Sequence, residues 1–568
     1  MKRAQYLFPD LIPDIEKWPI YQLHSRRELF VKDLTDETVR RLLENRRIEG
    51  LKDSIAHTIY KERIRMKESP WRVDPGDEQV FWKQISMRLV ATDNSINASN
   101  YAEEITTILR TIVHRYAEEI VGTFNKKTFL FARRFLTAFF KWLLNAAAPK
   151  GRLFWGTRRQ LYEKLIVRGP LEEIRQLARD HILVVVPTHF SNLDSILVGY
   201  AMDAVLGLPS FSYGAGLNLY NFGPAAYYMN RLGAYRVDRR KKNQIYLETL
   251  KTMSCLSIEQ GTNTLFFPGG TRSRSGSMET QLKLGLLGTT VEAQRALLEK
   301  GDTRKVIIVP LVIGYNFVLE AKSLIENHLR RTGREQYIRT RDYGSSIRQI
   351  IKFTWQFFSA TSDITLSFGQ PVDVIGNPVD ANGHSHDKDG RMISLREFFF
   401  FGDSVTPDLQ RESEFTRTLS QKIIELYRRE NTVLSSHLVA YVAFHVLKDQ
   451  HPGLDLFALL RLPTEDLKLR LQEFIGEVRH YQQVLLEMER DGKVRLAPEI
   501  TGDAEALVRD GLKKLGTYHD RKPLLLNKSG EVLSHDFKLL YYYHNRLEGY
   551  HLVDRVHTMM TMGEEAGF

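Results

Sequence analysis

A histidine and an aspartate five residues apart offer the clearest chemistry in this sequence. His189 and Asp194 follow a short, β-branched apolar run, residues 182–186, that closes at Pro187. Such a run predicts a strand buried on both faces of a parallel sheet. If His189 lies in the turn and Asp194 in the first turn of the next helix, the carboxylate can accept a hydrogen bond from one ring nitrogen. The other nitrogen is then available as a general base.

The surroundings of this pair set it apart from another pair with the same spacing. His384 and Asp389 lie in the polar stretch NGHSHDKDGR, with no strand before them. Metal binding by His384, His386 and Asp387 is conceivable, but we interpret residues 376–391 as a solvated loop or linker. The pair at 189 and 194 has no serine beside it, so the substrate would have to supply the nucleophilic hydroxyl.

The elements that must position His189 and Asp194 alternate along the middle of the chain. The periodicity predicts helices at residues 162–180, 193–206, 243–260 and 282–300, and strands at residues 182–186, 233–237, 264–267, 305–313 and 363–368. This alternation predicts a mixed or parallel sheet flanked by helices. Open sheets of this class bind ligands at the carboxyl ends of their strands, where His189 and Asp194 are expected.

A glycine- and arginine-rich loop follows the strand predicted at residues 264–267. Glycines allow a ligand to approach the backbone, and amides, hydroxyls and guanidinium groups donate hydrogen bonds to phosphate. The GxxxxGK[ST] spacing of a Walker loop is absent, which disfavours nucleoside triphosphate hydrolysis. The candidate anion-binding residues of this loop are Gly270, Thr271, Arg272, Ser273 and Arg274.

Length and composition set outer limits. A chain of 568 residues suggests three or four domains, and a net charge of +11 favours an anionic partner such as nucleic acid, an acidic lipid surface or a phosphorylated substrate. The single cysteine, Cys255, excludes an internal disulfide and is expected to be buried in a helix. The first residues show no signal-peptide pattern.

Residues 1–125 are predicted to form polar helices joined by loops. The next apolar stretch, residues 129–148, contains Arg133, Arg134 and Lys141, whose cost near a bilayer centre disfavours a transmembrane helix. Phe131, Phe135 and other apolar residues lie opposite these cations on a helical wheel. Two interpretations remain: a helix in the headgroup plane of an anionic membrane, or a helix docked on the protein with its basic face in water.

From about residue 410 the sequence predicts mainly helices, with the apolar residues 433–447 in the core. Residues 456–498 have the rhythm of a winged helix: helix, helix, then a Gly-Lys-Val hairpin. A basic nucleic-acid-binding protein is therefore an alternative. Acidic Glu487, Glu489 and Asp491 lie beside the cations of the second helix, which argues against nucleic acid as a partner.

Four sequence blocks, in order, resemble those of the glycerolipid acyltransferases, and within them the long bacterial glycerol-3-phosphate acyltransferases. The blocks read PTHFSNLDSILVG, GAYRVDR (233–239), GGTRSRSG and IVPLVIGYNFVLE (308–320). Near the end, LLYYYHNRL (539–547) is similar to a Tyr-Tyr-Arg-Asn stretch of the long branch, with His544 in place of the arginine.

The resemblance implies an α/β acyltransferase domain at 161–400, with a central mixed or parallel sheet flanked by helices. The sequence pattern adds a helical N-terminal domain at 1–125, an amphipathic membrane-associating or connecting segment at 126–160 and a mainly helical C-terminal domain at 401–568. The implied reaction moves an acyl group from acyl-CoA or acyl carrier protein to the sn-1 hydroxyl of glycerol 3-phosphate, giving lysophosphatidate. No metal or organic cofactor is required, and the expected location is peripheral, on the cytoplasmic face of the inner membrane.

The same resemblance implies roles for individual residues. His189 would be the general base, Asp194 would orient it, and backbone amides near the glycine loop would stabilise the tetrahedral oxyanion. Pro310 and Tyr315 would lie on the acyl-donor side, although packing at a strand end is an equal interpretation for both. The acceptor phosphate would be held by Arg239, Gly270, Thr271, Arg272, Ser273 and Arg274.

One position departs from the pattern of the family. Gly269 stands where the third block normally carries a glutamate, so the phosphate pocket is expected to be more positive than usual. This difference makes acyl transfer a firmer expectation than the identity of the acceptor. Dihydroxyacetone phosphate and lysophosphatidate remain alternative acceptors, and a catalytically inactive membrane scaffold remains an alternative from another class.

Overall fold

The structure is a computed structural model that describes residues 8–44, 47–92, 98–145, 165–217, 220, 227–333, 364–402, 404–517 and 519–565. Its helices are α1 (Pro19–Ser25), α2 (Arg27–Glu44), α3 (Ile48–Glu68), α4 (Glu78–Thr92), α5 (Ala98–Ile120), α6 (Lys126–Asn145), α7 (Leu171–Asp180), α8 (Asp194–Tyr200), α9 (Gln244–Glu259), α10 (Leu284–Glu299), α11 (Ala321–Thr332), α12 (Arg396–Phe399), α13 (Leu409–Glu430), α14 (Ser435–Asp449), α15 (Leu456–Leu459), α16 (Leu471–Arg490), α17 (Ala504–Lys514), α18 (Phe537–Glu548) and α19 (Leu552–Glu565).

A seven-stranded sheet forms the centre of the molecule, in the order β1-β7-β6-β2-β5-β3-β4. Neighbouring strands run parallel except β6 and β7, which are antiparallel. The sheet is therefore mixed, with helices on both faces, as the sequence predicted. Its strands are β1 (Leu165–Arg168), β2 (Ile182–Pro187), β3 (Ser212–Gly216), β4 (Ala234–Val237), β5 (Thr264–Leu265), β6 (Val306–Tyr315) and β7 (Ile364–Phe368).

Strand β2 is central because both of its faces are buried. Leu183 and Val185 belong to one hydrophobic core, and Ile182, Val184 and Val186 belong to another on the opposite face. Alternate side chains of a strand point to opposite faces, so one apolar run supplies both cores. The residues that follow Pro187 are thereby held at a fixed place at the carboxyl edge of the sheet.

The N-terminal helices form a third core. Residues from α2, α3, α4 and α5 pack together and against Tyr235, Tyr246 and Leu250. Within that core, Arg65 pairs with Glu62 and Glu78, and Tyr116 donates to Glu62. These buried ions are satisfied by one another, as buried charges must be. The region is helical, as predicted, and it packs directly against α9 and β4.

One prediction in the middle of the chain is wrong, and one strand was missed. The helix expected at residues 162–180 begins only at Leu171, because Leu165–Arg168 is strand β1. Gly169, with φ of 121°, and Pro170 form the turn between the strand and the helix. Strand β3 was not predicted, because its sequence SYGAG has no apolar alternation. Residues 376–391 form a loop, one of the two predicted alternatives, and β8 (Ser385–His386) within it pairs with β9 (Met392–Ile393) just after it.

The C-terminal region is mainly helical, with its buried helix α14 in the core as predicted. It does not contain the predicted winged helix. Residues 456–498 hold the four-residue α15 and the long α16, and β14 (Arg495–Leu496) pairs in parallel with β12 (Thr432–Val433) instead of closing a hairpin. The remaining short strands are β10 (Phe400–Phe401), β11 (Ser404–Val405), β13 (Lys468–Arg470), β15 (Leu525–Leu526) and β16 (Glu531–Leu533).

Helix α18 packs against the glycine-rich loop of the sheet domain. Gly276 has φ of 87°, and a Cβ atom built at that position would lie 2.0 Å from the backbone oxygen of Tyr542. The loop and α18 therefore approach each other closely only because residue 276 has no side chain. Helix α18 of the C-terminal region therefore packs directly beside the loop.

Replacing Gly276 by alanine should destabilise the protein far more than the same change at Gly390. Both glycines have positive φ, but nothing lies within 4 Å of a Cβ atom at Gly390. We expect Gly390→Ala to cost about 1–2 kcal/mol from backbone strain alone, and Gly276→Ala about 3 kcal/mol or more because overpacking adds to it. Denaturant unfolding of the two variants measures the difference, and equal losses would show that the loop and α18 are not in this contact.

Candidate active site

His189 and Asp194 meet at the carboxyl end of β2. The Nδ1 atom of His189 lies 2.8 Å from Oδ2 of Asp194. Asp194 begins α8, so the five-residue spacing spans one turn and the first helical residue, as the sequence predicted. With Nδ1 bound to the carboxylate, Nε2 is the nitrogen left to accept a proton.

Asp194 is completely buried, and four donors surround its carboxylate. Besides His189, the backbone amides of Phe190 and Ser191 donate to Oδ2 at 2.6 and 2.9 Å, and the Tyr315 hydroxyl donates to Oδ1 at 2.6 Å. A buried carboxylate is stable only when its oxygens are satisfied in this way. Burial, and then the charge of Asp194, raise the pKa of Tyr315 well above its ordinary value, so the hydroxyl keeps its proton and remains a donor.

Three contacts position His189, one to its imidazole ring and two to its backbone. The ring of Phe267 stacks on it with centroids 4.1 Å apart. The backbone N–H of His189 donates to Oε1 of Glu279 at 3.0 Å, and the backbone oxygen of His189 accepts from the Ser273 amide at 2.7 Å. The side chain is only 15% exposed.

Glu279 occupies the space beside Gly269. A Cβ atom at residue 269 would lie 3.1 Å from Cγ of Glu279 and 3.3 Å from its Oε1. The pocket therefore contains a carboxyl group after all, supplied from ten residues further along the chain, whereas the expected more positive charge stays a prediction. Its Oε2 atom is buried and has no hydrogen-bond partner among the residues that the structure describes. Burial raises the pKa of Glu279, and the His189 N–H opposes the shift only in part.

Glu320 links the histidine turn to the glycine-rich loop. Its Oε1 accepts from the Asn192 amide at 3.0 Å and from Arg272 at 3.1 Å, and its Oε2 accepts from the Ser191 hydroxyl at 3.1 Å. Charge-assisted hydrogen bonds of this kind are the stronger ones in proteins. Glu320 therefore keeps Arg272 and the dyad in a fixed relation.

Arg239, Arg272 and Arg274 lie near one another. Desolvation lowers the pKa of Arg239, and the charges of Arg272 and Arg274 lower it further. Across the described part of the chain, Arg239 has no acidic partner, whereas its neighbour Arg240 pairs with Asp74 and Asp238. Three guanidinium groups this close, with Arg239 lacking an acidic partner among the described residues, favour a bound anion.

The other predicted phosphate ligands differ in what they can offer. Gly270 has φ of 75°, which a glycine adopts without strain, and Thr271 is exposed. Ser273 is a poor candidate, because its amide donates to His189 and its hydroxyl donates to the backbone oxygen of Ser277. The contacts of Ser273 thus position His189, and they leave its amide and hydroxyl hydrogens unavailable to a phosphate.

Pro310 and Tyr315 are not on an open surface. Pro310 lies inside β6, buried and opposite Val186, and Tyr315 is buried beneath the dyad with its hydroxyl on Asp194. For both residues the geometry supports the packing or positioning interpretation over contact with an acyl donor. The donor-side assignment that the resemblance implied stays a prediction for both residues.

The C-terminal helix α18 contributes two residues to the site wall. The Arg546 guanidinium lies 4.3 Å from the ring centroid of Phe190, next to the dyad, and donates to the backbone oxygen of Ile313. Asn545 donates to the backbone oxygen of Ser275 at 2.8 Å. A cavity between the sheet domain and α18 is lined by Phe190, Gly276, Tyr315, Val318, His437, Tyr542, Tyr543 and Arg546.

Sequence reasoning missed Glu279, Glu320 and Arg546. Glu320 is the last residue of the fourth block and Arg546 lies in the LLYYYHNRL stretch, so both were inside recognised motifs without an assigned role. Glu279 carried no signal, because nothing in METQLK marks a side chain that folds back onto residue 269. Only the three-dimensional path of the loop reveals it.

Comparison with known proteins agrees with this geometry. Residues 170–314 match the family model described as Acyltransferase, a range that contains β2, the dyad and the glycine-rich loop. This part of the chain is thus similar to an acyltransferase domain. The crystal structure of the 1-acyl-sn-glycerophosphate (LPA) acyltransferase PlsC from Thermotoga maritima is similar at 14% sequence identity and a TM-score of 0.23, covering 66% of this chain and 96% of that chain. A similarity that weak carries no conclusion about this site.

Replacing Glu279 by glutamine should stabilise the protein increasingly as pH rises. Because folding raises the pKa of Glu279, its contribution to stability is complete below its ordinary pKa and is lost as pH rises through the raised value. Glutamine keeps the oxygen that accepts from His189 and does not ionise. Unfolding free energies of Glu279→Gln and wild type, measured from about pH 4 to about pH 8, should diverge in favour of the variant.

The same replacement at exposed Glu68 is the matched control. A stability difference for Glu279→Gln that shrinks as pH rises would contradict the assigned burial of this carboxylate.

Proposed function

We propose that this protein transfers an acyl group from an acyl thioester, either acyl-CoA or acyl carrier protein, to the primary hydroxyl of glycerol 3-phosphate. The observation that carries the proposal is the buried His189–Asp194 pair, 2.8 Å apart at the edge of the sheet, beside a loop that brings Arg272 and Arg274 near Arg239. A base without its own nucleophile next to an anion site suits a phosphorylated alcohol.

The proposed reaction uses groups already in place. Nε2 of His189 takes the proton from the acceptor hydroxyl while that oxygen attacks the thioester carbonyl carbon. Asp194 keeps Nδ1 protonated and stabilises the imidazolium that forms. The tetrahedral oxyanion collapses, the carbon–sulfur bond breaks, and the leaving thiolate recovers the proton from the imidazolium. Backbone amides of the glycine-rich loop would stabilise the oxyanion.

The acceptor phosphate is assigned to the arginines. Arg239 is the strongest candidate, because it lacks an acidic partner among the described residues and its neighbours already repel it. Arg272 is shared with Glu320, which fixes its direction. Glu279 weakens the case for an inactive scaffold, since that alternative depended on Gly269 leaving the pocket without a carboxylate.

Acyl transfer should depend on His189 and on Arg239 in different ways. We expect His189→Ala to lower kcat by about 10²–10⁴-fold with any acceptor. Arg239→Ala should instead raise KM for glycerol 3-phosphate by about ten-fold or more, the loss of a charge-assisted contact. Steady-state assays with glycerol 3-phosphate, dihydroxyacetone phosphate and lysophosphatidate, with product regiochemistry, separate the acceptors.

Arg179→Ala, an exposed arginine at the end of α7, is the matched control and should leave both constants unchanged. If wild-type protein prefers lysophosphatidate, the acceptor assignment changes. If wild-type protein shows no turnover with any acyl thioester, the proposal is overturned.

We also propose that α6 places the protein on an anionic membrane surface. Arg133 of this helix turns inward to Asp10 and Asp203, whereas Phe131 and Phe135 are 55% and 56% exposed. The helix is docked through Phe129 and Ala132, and its outer surface presents both phenylalanines together with the exposed Arg134. The side chains of α6 after residue 136 are outside the described part of the structure.

The exposed face of α6 continues into an aromatic and basic surface. Phe131 stacks on Phe135 and on Tyr228, and the Arg231 guanidinium lies 4.0 Å from the ring centroid of Tyr227. Aromatic rings with adjacent cations favour the headgroup region of anionic lipid. No helix in the described ranges is long and apolar enough to cross a bilayer.

Replacing Phe131 and Phe135 together by serine should weaken sedimentation with liposomes that contain anionic lipid. Each phenylalanine can bury apolar area in the bilayer, so we expect at least about a ten-fold loss in partitioning. Phe401→Ser, at a more exposed phenylalanine elsewhere, is the control. Unchanged partitioning of the double variant would contradict the assignment of this surface.

A further inference from the structure

Two histidines and a glutamate converge behind the active site, between α14 and α18. Nε2 of His445 and Nε2 of His544 are 3.0 Å apart, and Oε2 of Glu548 lies 3.1 Å from the latter and 3.8 Å from the former. His445 lies on α14, and His544 and Glu548 lie one turn apart on α18. None of the three takes part in the reaction proposed above.

We propose that His445, His544 and Glu548 bind one divalent transition-metal ion of the zinc class. Two imidazole nitrogens and a carboxylate form a donor set that zinc uses in proteins. With metal–ligand bonds of about 2.0–2.1 Å, neighbouring ligand atoms of a tetrahedron lie about 3.3 Å apart. The three observed separations lie close to that value, so an ion fits with little movement of the side chains.

The hydrogen bonds around His544 leave its Nε2 without a proton to give. Its Nδ1 lies 3.0 Å from the side-chain oxygen of Asn545, which can only accept, so Nδ1 carries the hydrogen. Neutral His544 then presents a lone pair at Nε2 toward the Glu548 carboxylate, which is also an acceptor. A cation between these acceptors satisfies them together. A metal-bound histidine is usually supported by a hydrogen bond from its other ring nitrogen, which here is Nδ1.

The rings are fixed in this orientation by aromatic packing. His544 is almost fully buried and stacks on Tyr441 with centroids 5.0 Å apart, and Phe444 packs 4.1 Å from it. His445 packs against Tyr441 as well, at 4.5 Å. Two immobilised imidazoles bind a metal with little loss of side-chain entropy.

The glutamate faces solvent, with 56% of its side chain exposed. A fourth position of the tetrahedron is therefore open to water, as in sites with three protein ligands. The ion would join α14 to α18, and Asn545 and Arg546 on α18 contact the catalytic loop and Phe190. Its role in this account is to hold the wall of the site in place.

Another histidine group in the chain has a different arrangement. His384 and His386 both lie near Oδ2 of Asp380, at 3.4 and 3.1 Å, and the group is largely exposed. The carboxylate there accepts from the imidazoles directly, so no further cation is called for.

The test uses the full-length chain without a histidine tag, stripped with a chelator and dialysed. Titration with Co²⁺ should give the visible bands of a tetrahedral ion at one equivalent, and Zn²⁺ should displace it. His544→Ala and His445→Ala should each weaken binding by about 100-fold or more, and Glu548→Gln should weaken it as well. Zn²⁺ should raise the Tm of wild type and not that of the histidine variants.

His557→Ala, at an exposed histidine on α19, is the matched control and should bind as wild type does. If His544→Ala fails to fold, His445→Ala and Glu548→Gln, on the more accessible side of the cluster, decide the question. Failure of wild type to bind Co²⁺ or Zn²⁺ more tightly than these variants would overturn the proposal and leave a shared proton as the cation. Because these readouts do not use acyl transfer, they are independent of the proposed reaction.

Discussion

The burial of one carboxylate governs the arrangement of this site. Asp194 is removed from water, and an ionised carboxylate in that position costs several kcal/mol unless donors surround it. The chain supplies them from three directions: the imidazole of His189, two amides of the turn after β2, and the hydroxyl of Tyr315 from β6. Satisfying the aspartate therefore fixes the histidine, and the direction of Nε2 follows from it.

Two further carboxylates position the histidine turn and the glycine-rich loop around Asp194. Glu279 accepts from the backbone of His189, and Glu320 joins the histidine turn to Arg272. Glu279 also explains how the loop tolerates Gly269: the missing side chain makes room for a carboxylate from elsewhere in the loop. Its second oxygen, buried and without a hydrogen-bond partner in the described ranges, is a locally unfavourable feature of the sort that proteins keep where function requires it.

The sequence was sufficient for much of this picture. The apolar run of β2 predicted a doubly buried strand, and the change of period after Leu193 predicted a helix, so the meeting of His189 and Asp194 could be expected. Local pattern could not reveal β1, whose residues also fit a helix, nor Glu279, whose role depends on the path of a loop. Tyr315 was found by its motif, but its position under Asp194 depends on the register of β6 against β2.

The C-terminal region completes the site through a single helix, α18. Gly276 allows close contact with that helix, and Arg546 and Asn545 reach the sheet domain from it. On its other side the helix carries His544, the residue that departs from the Tyr-Tyr-Arg-Asn pattern, next to His445. One helix thus connects the catalytic loop to the proposed metal site.

The most direct test of the central claim is the rate of acyl transfer by Asp194→Asn. Asparagine keeps the size of the side chain and an oxygen that can accept from Nδ1 of His189, but it has no negative charge to stabilise the imidazolium. The account predicts a fall in kcat of about 10³–10⁴-fold, with KM for the acceptor nearly unchanged. A variant that retains kcat within about ten-fold of wild type would contradict the claim that this buried carboxylate makes His189 a base.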